Sequence, residues 1–270
     1  MRQFVLQNSP DKNGLIELQG KDFRYLKQVL RLKVGDMLVV RLLDGTLKNS
    51  TVCKIDDKKK AVTIQLCADI SSNEGNLQNQ SSYSAKTNFV LFQFVPKALK
   101  MDLIVRQACE CGISKIIPIA GQFCQGEKNK NDLRASRYER IIKEARQQSG
   151  SPISTEITAT VTVNDACSIW KNIVAQNEKE NCFACVLYER TDKTKALHFV
   201  LSQYKEIKNC AIVCGAEGGI SPEEIEEFIS AGFIPLHFDT NILRCETAAL
   251  YGIACVQNAV AEKNIWQLKE

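Results

Sequence analysis

Histidine is scarce in this chain: there are two, His198 and His237, among 270 residues. That leaves little material for a mixed Cys/His zinc site or for a histidine acting as general base, and no metal is expected. No apolar run approaches the roughly 18 residues of a membrane-spanning helix. The first residues, Met1–Leu6, lack the apolar core and small-residue cleavage site of a secretory signal. These absences imply a cytoplasmic protein with no membrane partner. Phosphate-binding signatures are missing too: there is no Gly-Lys-Ser/Thr and no Gly-x-Gly-x-x-Gly. Nor is there a strong excess of one charge. A net charge of +4 permits a polyanionic partner without requiring one.

Cysteine, by contrast, is abundant, at twelve residues. Most sit in apolar runs, where a reduced thiol serves as a small core hydrophobe. Cys182-Phe-Ala-Cys185 has the spacing of a redox or zinc pair, but no second pair with matching spacing follows.

The first 70 residues read as short strands, Arg2–Leu6, Leu15–Leu18, Met37–Leu42, Leu47–Ile55 and Ala61–Cys67, punctuated by Asn13-Gly14, Asp44-Gly45 and Asp56–Lys60. One helical stretch, Asp22–Arg31, interrupts them, with Phe23, Leu26, Val29 and Leu30 on one face. So many short strands suggest a small barrel. Ser71–Lys86 is rich in Ser, Asn and Gln and reads as a linker. From Asn88 onward, apolar strands (Phe89–Val95, Lys115–Ile119, Phe183–Tyr188, Ala211–Val213, Ile234–Phe238) alternate with helices (Lys97–Cys111, Leu133–Gln148, Pro222–Ser230, Thr247–Ala261). This pattern indicates a mostly parallel sheet covered on both faces. The basic run Arg134, Arg137, Arg140, Lys143, Arg146 recurs every third residue, so it winds around its helix as a solvated surface.

Two segments carry chemistry. Cys210–Glu224 runs from a buried strand through Gly215-Ala-Glu-Gly-Gly219 into a helix with Ser221 as N-cap, Pro222 in first position and Glu224 completing a capping box. A glycine-rich turn at the carboxyl end of a parallel strand is where open α/β sheets bind small ligands. The second segment is Asn241-Ile-Leu-Arg-Cys-Glu-Thr-Ala248, at the mouth of an apolar helix. Alone, it reads equally well as a helix cap with an Arg–Glu pair.

Taken together, Gly-x-Glu-Gly-Gly and Ile-Leu-Arg-x-Glu-Thr-Ala resemble the C-terminal signature of the SPOUT methyltransferases, and within them the family that methylates uridine N3 in 16S ribosomal RNA. Gln28-Val-Leu-Arg-Leu-Lys-Val-Gly35, Lys97–Pro118 and Glu144–Ser149 resemble further stretches of that family. The resemblance implies a PUA-like, RNA-binding β-barrel over residues 1–70, a linker over 71–87, and a SPOUT domain over 88–270. In the last, the mostly parallel sheet of an α/β fold is tied in a trefoil knot. It also implies a homodimer, 16S ribosomal RNA or the small ribosomal subunit as partner, and S-adenosylmethionine as cofactor. The cofactor contacts it implies are Tyr188, Glu189, Cys214, Gly215, Glu217, Gly218, Gly219, Phe238, Asn241, Ile242, Leu243, Cys245 and Thr247.

Arg244 and Glu246 are the expected catalytic residues. A fixed guanidinium can stabilise the imide anion that forms when N3 loses its proton, without a histidine. Glu217 is expected to brace the loops by accepting backbone N–H bonds, and Cys245 is not expected to act as a nucleophile, because N3 chemistry needs no adduct. Arg24, Lys27, Arg31, Lys33, Lys97, Lys100 and Arg106 are the expected RNA contacts. The chain departs from the family at Ala216 (usually Pro), Phe238-Asp239 (Leu-Gly), Asn241 (Arg) and Cys245 (Thr). Two other readings stand beside this one: a SPOUT enzyme acting on transfer RNA or a ribose 2′-hydroxyl, and a non-catalytic RNA-binding module.

Overall fold

The computed structural model describes residues 3–67, 87–124, 131–190 and 194–263. The expected linker lies outside the described residues except for Thr87, whose buried hydroxyl donates to the Ile207 carbonyl at 2.6 Å. The chain divides into two compact units: Met1–Ser84 with Arg146–Pro152, and Ala85–Ala145 with Ile153–Glu270.

The first unit is a five-stranded curled sheet, a half-barrel, built from β1 (Phe4–Val5), β2 (Leu15–Gln19), β3 (Met37–Arg41), β4 (Leu47–Asp56) and β5 (Ala61–Leu66). Its order is β1-β3-β4-β5-β2; only β1 and β3 run parallel, and β4 is irregular at Val52–Lys54. Alternating side chains such as Val40, Val52, Val62 and Ile64 meet Phe23 and Leu26 in its core. The expected helix is here α1 (Gly20–Arg24) running into a π-helical turn, Tyr25–Val29, and it ends where Arg31 takes a left-handed φ of 55°. Arg41 is buried in this unit, where its Nε donates to the Gln3 side-chain oxygen at 2.8 Å and another guanidinium nitrogen to the Gly150 carbonyl at 3.0 Å.

In the second unit, six strands form one parallel sheet: β6 (Asn88–Phe94), β7 (Lys115–Ile119), β8 (Glu156–Ile157), β9 (Cys182–Leu187), β10 (Asn209–Cys214) and β11 (Ile234–Leu236), in the order β11-β9-β10-β6-β7-β8. The strands are apolar throughout because both faces are covered. Phe89, Leu91, Phe183, Cys185, Cys210 and Ile212 face a core shared with α2 (Ala98–Glu110) and α7 (Cys245–Glu262), whereas Val90, Phe92, Ala184, Ala211 and Val213 face α4 (Val163–Ala175) and α6 (Pro222–Ser230). Cys182 and Cys185 fall on opposite faces by the same alternation, so their side chains do not form a pair.

Every expected strand and helix of this unit is present, but four described elements were not anticipated: the two-residue β8, α4, the 3-10 turn Lys179–Asn181, and α5 (Leu197–Leu201). The signal for α4 is legible in retrospect. Thr162 and Asp165 form a capping box ahead of an apolar stretch. On α3 (Asn131–Ser149), Arg137 pairs with Asp102 and Arg140 lies 3.8 Å from Glu144. Arg146, expected in a solvated helix surface, is instead buried and donates to the Ser151 and Pro152 carbonyls. The charge period marked the helix, but three-residue spacing turns each successive side chain to a different environment. No described helix is long and apolar enough to cross a membrane.

Candidate active site

The chain leaves β9 and adds β10 on one side of it, then returns to place β11 on the other. Such a reversal opens a crevice at the carboxyl ends of the strands. The crevice here is a cavity of about 360 Å³. Three loops wall it, following β9, β10 and β11, and α7 closes one side.

The loop after β10 is shaped by its glycines. Gly219 has a φ of +73° and closes a turn by donating its N–H to the Ala216 carbonyl at 3.0 Å. At Gly218, an added Cβ would stand 2.7 Å from that of Phe123. The turn then enters α6 through the expected capping box: the Ser221 N–H donates to Glu224 Oε2 at 2.9 Å, and Ser221 Oγ accepts from the Glu224 N–H at 3.3 Å. Glu224 Oε1 also accepts the Gln122 N–H at 2.7 Å, which ties the end of β7 to the same corner. From below, buried Gln93 donates its side-chain amide to the carbonyls of Phe94, Cys214 and Gly215 at 2.9, 3.3 and 3.1 Å. Gln93 was not among the expected residues. Its sequence signal is one polar residue within an otherwise apolar strand.

Glu217, at the tip of the turn, braces as expected. It accepts the Lys97 N–H at 3.2 Å and receives the Lys100 ammonium at 3.2 Å. The same ammonium lies 3.5 Å from Glu246 on α7, so Lys100 bridges the glycine loop and the start of that helix. Burial opposes ionisation of Glu217, but the backbone N–H groups and Lys100 together hold its carboxyl below the usual range. Glu246 is lowered as well, chiefly by its own backbone N–H and, against partial burial, by Cys245 and Lys100. Burial works against the charge of Lys100 also, yet Glu217, Cys245 and Glu246 raise its pKa. Burial, the hydrogen bond to Glu246 at 3.3 Å and the charge of Glu217 push the Cys245 thiol up to about 12. Cys214 is likewise pushed to about 12, first by burial and then by the neighbouring Cys245.

The structure brings nearly all the expected cofactor contacts together. Tyr188 and Glu189, then Cys214, Gly215, Glu217, Gly218 and Gly219, then Phe238, Asn241, Ile242, Leu243 and Cys245 all line the cavity. Thr247 does not; it is exposed. Two residues beyond Cys245, it lies about 200° further around the helix, while Ala248 returns to the cavity side. Asp239 is exposed and outside the lining, so the family's missing glycine leaves the cavity open. Arg244 stands between two lining residues as the N-cap of α7. Its side chain is exposed and makes no ion pair among the described residues, which disposes of the Arg–Glu pair. Lining residues not anticipated are Leu187, Ala216, Ile220, Leu236, His237, Thr240, Ala248 and Tyr251. Tyr251 packs edge-on against Phe238 at 5.6 Å, and His237 Nδ1 lies 3.2 Å from the Tyr188 carbonyl.

Of the expected RNA contacts, Arg24, Arg31 and Lys33 are exposed in the first unit, where Lys27 pairs with Asp57. Lys97 and Arg106 are exposed in the second, where Lys100 is taken up by Glu217 and Glu246.

A parallel α/β sheet with a cavity at its carboxyl edge belongs to the class of open α/β proteins that bind small ligands at that edge, here in a chain that also carries a curled β unit. Residues 84–257 match the RNA methyltransferase domain family and residues 18–67 the RNA methyltransferase PUA domain. The chain belongs to the RNA methyltransferase family. Among its relatives is ribosomal RNA small subunit methyltransferase E 2 of Borreliella burgdorferi, 29% identical over 275 residues, covering 98% of this chain and all (100%) of that protein. Ribosomal RNA small subunit methyltransferase E of Aquifex aeolicus is 30% identical over 172 residues, covering 63% of this chain and 69% of that one. In fold, the chain is similar to the Neisseria gonorrhoeae ribosomal RNA small subunit methyltransferase E crystallised with S-adenosyl methionine. That match has a TM-score of 0.74 at 20% identity and covers 96% of this chain and 97% of the other.

Proposed function

We propose that this chain transfers a methyl group from S-adenosylmethionine to N3 of a uridine in 16S ribosomal RNA. The observation that carries the reading is the convergence of the three loops on one cavity lined by carboxylates, thiols and apolar side chains, with no Lys or Arg among the described lining residues. Its volume falls within the roughly 300–1,000 Å³ of small-molecule sites. Leu187, Ile220, Leu236 and Tyr251 offer apolar surface for a purine, and the Gly215–Gly219 backbone offers close polar contacts. A lining without cations suits a positively charged nucleoside and disfavours a phosphorylated one. These residues fit S-adenosylmethionine, which supplies when bound a methyl group on a sulfonium centre.

Arg244 has the catalytic role in this proposal. Its guanidinium faces the imide anion and stabilises charge spread over N3 and the flanking carbonyl oxygens. Glu246, held with Glu217 by Lys100, positions the helix start from which Arg244 projects. Both carboxyls are held low, which suits bracing rather than proton abstraction. Arg24, Lys27, Arg31, Lys33, Lys97 and Arg106 supply phosphate contacts, and Lys100 acts as a clasp.

The proposal further includes a homodimer in the cytoplasm, a trefoil knot through the C-terminal crossings, and domain limits at residues 70 and 88. Mass spectrometry of ribosomal RNA from cells lacking this chain tests it. One small-subunit uridine should lose its methyl group and regain it when the purified chain and cofactor are added; unchanged RNA would refute the proposal.

A further inference from the structure

We infer that the Glu189 carboxylate sets a preference for the cationic methyl donor over the neutral product that remains after transfer, an inference that rests on the cofactor reading above. Among the described residues, two carboxylates, Glu189 and Glu217, line the cavity, and no Lys or Arg does. They differ in one respect. Glu217 is neutralised by Lys100 at 3.2 Å and by a backbone N–H, whereas Glu189 has no cation partner among the described residues. Arg244, next in the chain to lining residues, is not paired with it either.

Glu189 also lies beside the glycine loop. Its Oε1 lies 3.3 Å from where a Cβ on Gly219 would stand, so the carboxylate rests against the glycine turn. The two lining cysteines add no anion: Cys214 and Cys245 are both pushed to about 12 and stay thiols at neutral pH. One unbalanced negative charge, on an exposed residue, therefore stands at the cavity, where water screens its attraction for a cation without abolishing it. The sulfonium carries a positive charge that disappears when the methyl leaves. The carboxylate then loses its attraction at the moment the product must depart.

Calorimetric titration with S-adenosylmethionine and with S-adenosylhomocysteine tests this without turnover. The wild-type chain should bind the sulfonium compound more tightly. Glu189→Gln should weaken it roughly two- to five-fold, as loss of one solvent-exposed charge predicts, and leave the thioether nearly unchanged. Glu189→Asp should keep the preference. Equal weakening of both ligands, or no change in either, would overturn the inference. If Glu189→Gln does not fold, added salt applied to the wild type decides. Only sulfonium binding should weaken, because salt screens a charge pair, and a parallel response of both ligands would count against the inference. A wild-type chain that binds neither compound would overturn the cofactor reading itself, a result distinct from binding without discrimination.

Discussion

Arg244 and Cys245 are neighbours in the chain with opposite surroundings. The arginine is exposed at the N-cap of α7; the cysteine beside it is buried, with its thiol pushed to about 12. At neutral pH almost no thiolate exists there, and the thiolate is the nucleophilic form. Cys245→Ala should therefore methylate within a few-fold of wild type in a single-turnover assay. A collapse in rate would reinstate the nucleophile. Arg244→Ala should slow the same assay on the order of 10²–10³-fold, the usual cost of losing one preorganised donor to a developing anion. Its thermal unfolding should barely move, because the side chain is exposed and makes no ion pair among the described residues.

Two contacts between elements govern the cavity. The first is the Lys100 clasp, which joins α2 to the glycine loop and to α7. The carboxyls it holds are depressed in the folded state, so their contribution is complete above the ordinary carboxylate range. It fades as pH falls through the lowered folded values. Cofactor affinity of the wild type should thus weaken in acid. Lys100→Met should show weak affinity across the range with a flatter acid limb, and Lys100→Arg should restore the wild-type profile. A profile that Lys100→Met leaves unchanged would exclude the clasp. The second contact is the approach of α7 to β9 at Gly252, where an added Cβ would lie 2.1 Å from Leu187 Cδ1. Leu187 lines the cavity and can rotate. Gly252→Ala should cost about 1–3 kcal/mol by overpacking and weaken cofactor binding, both measurable by denaturant titration with and without the ligand.

For the molecule as a whole, a net charge of +4 is too small to hold RNA by bulk attraction. The proposed RNA contacts are local groups such as Arg24, Arg31 and Lys33, all exposed in the first unit. Each phosphate neutralised should contribute a slope of roughly 0.7–0.9 to the fall of log affinity with log salt. Replacing these three with alanine should flatten that slope while leaving cofactor binding intact. An unchanged slope would remove the first unit from the RNA footprint.

Local sequence alone determined the alternation of strands and helices, the capping box at Ser221, the two ligand-facing loops and the family signature they carry. These features follow from side-chain period, backbone freedom at glycine and caps, all of which act within a few residues. Tertiary structure alone decided that Lys100 serves the loops rather than a free surface, that Gln93 anchors the glycine turn, that Arg146 is buried, and that Thr247 faces away from the cavity. The Glu217–Lys97 hydrogen bond joins residues 120 positions apart. Contacts of that span arise from how whole elements pack across the sheet, and no local propensity encodes which distant side chain will fill the remaining space.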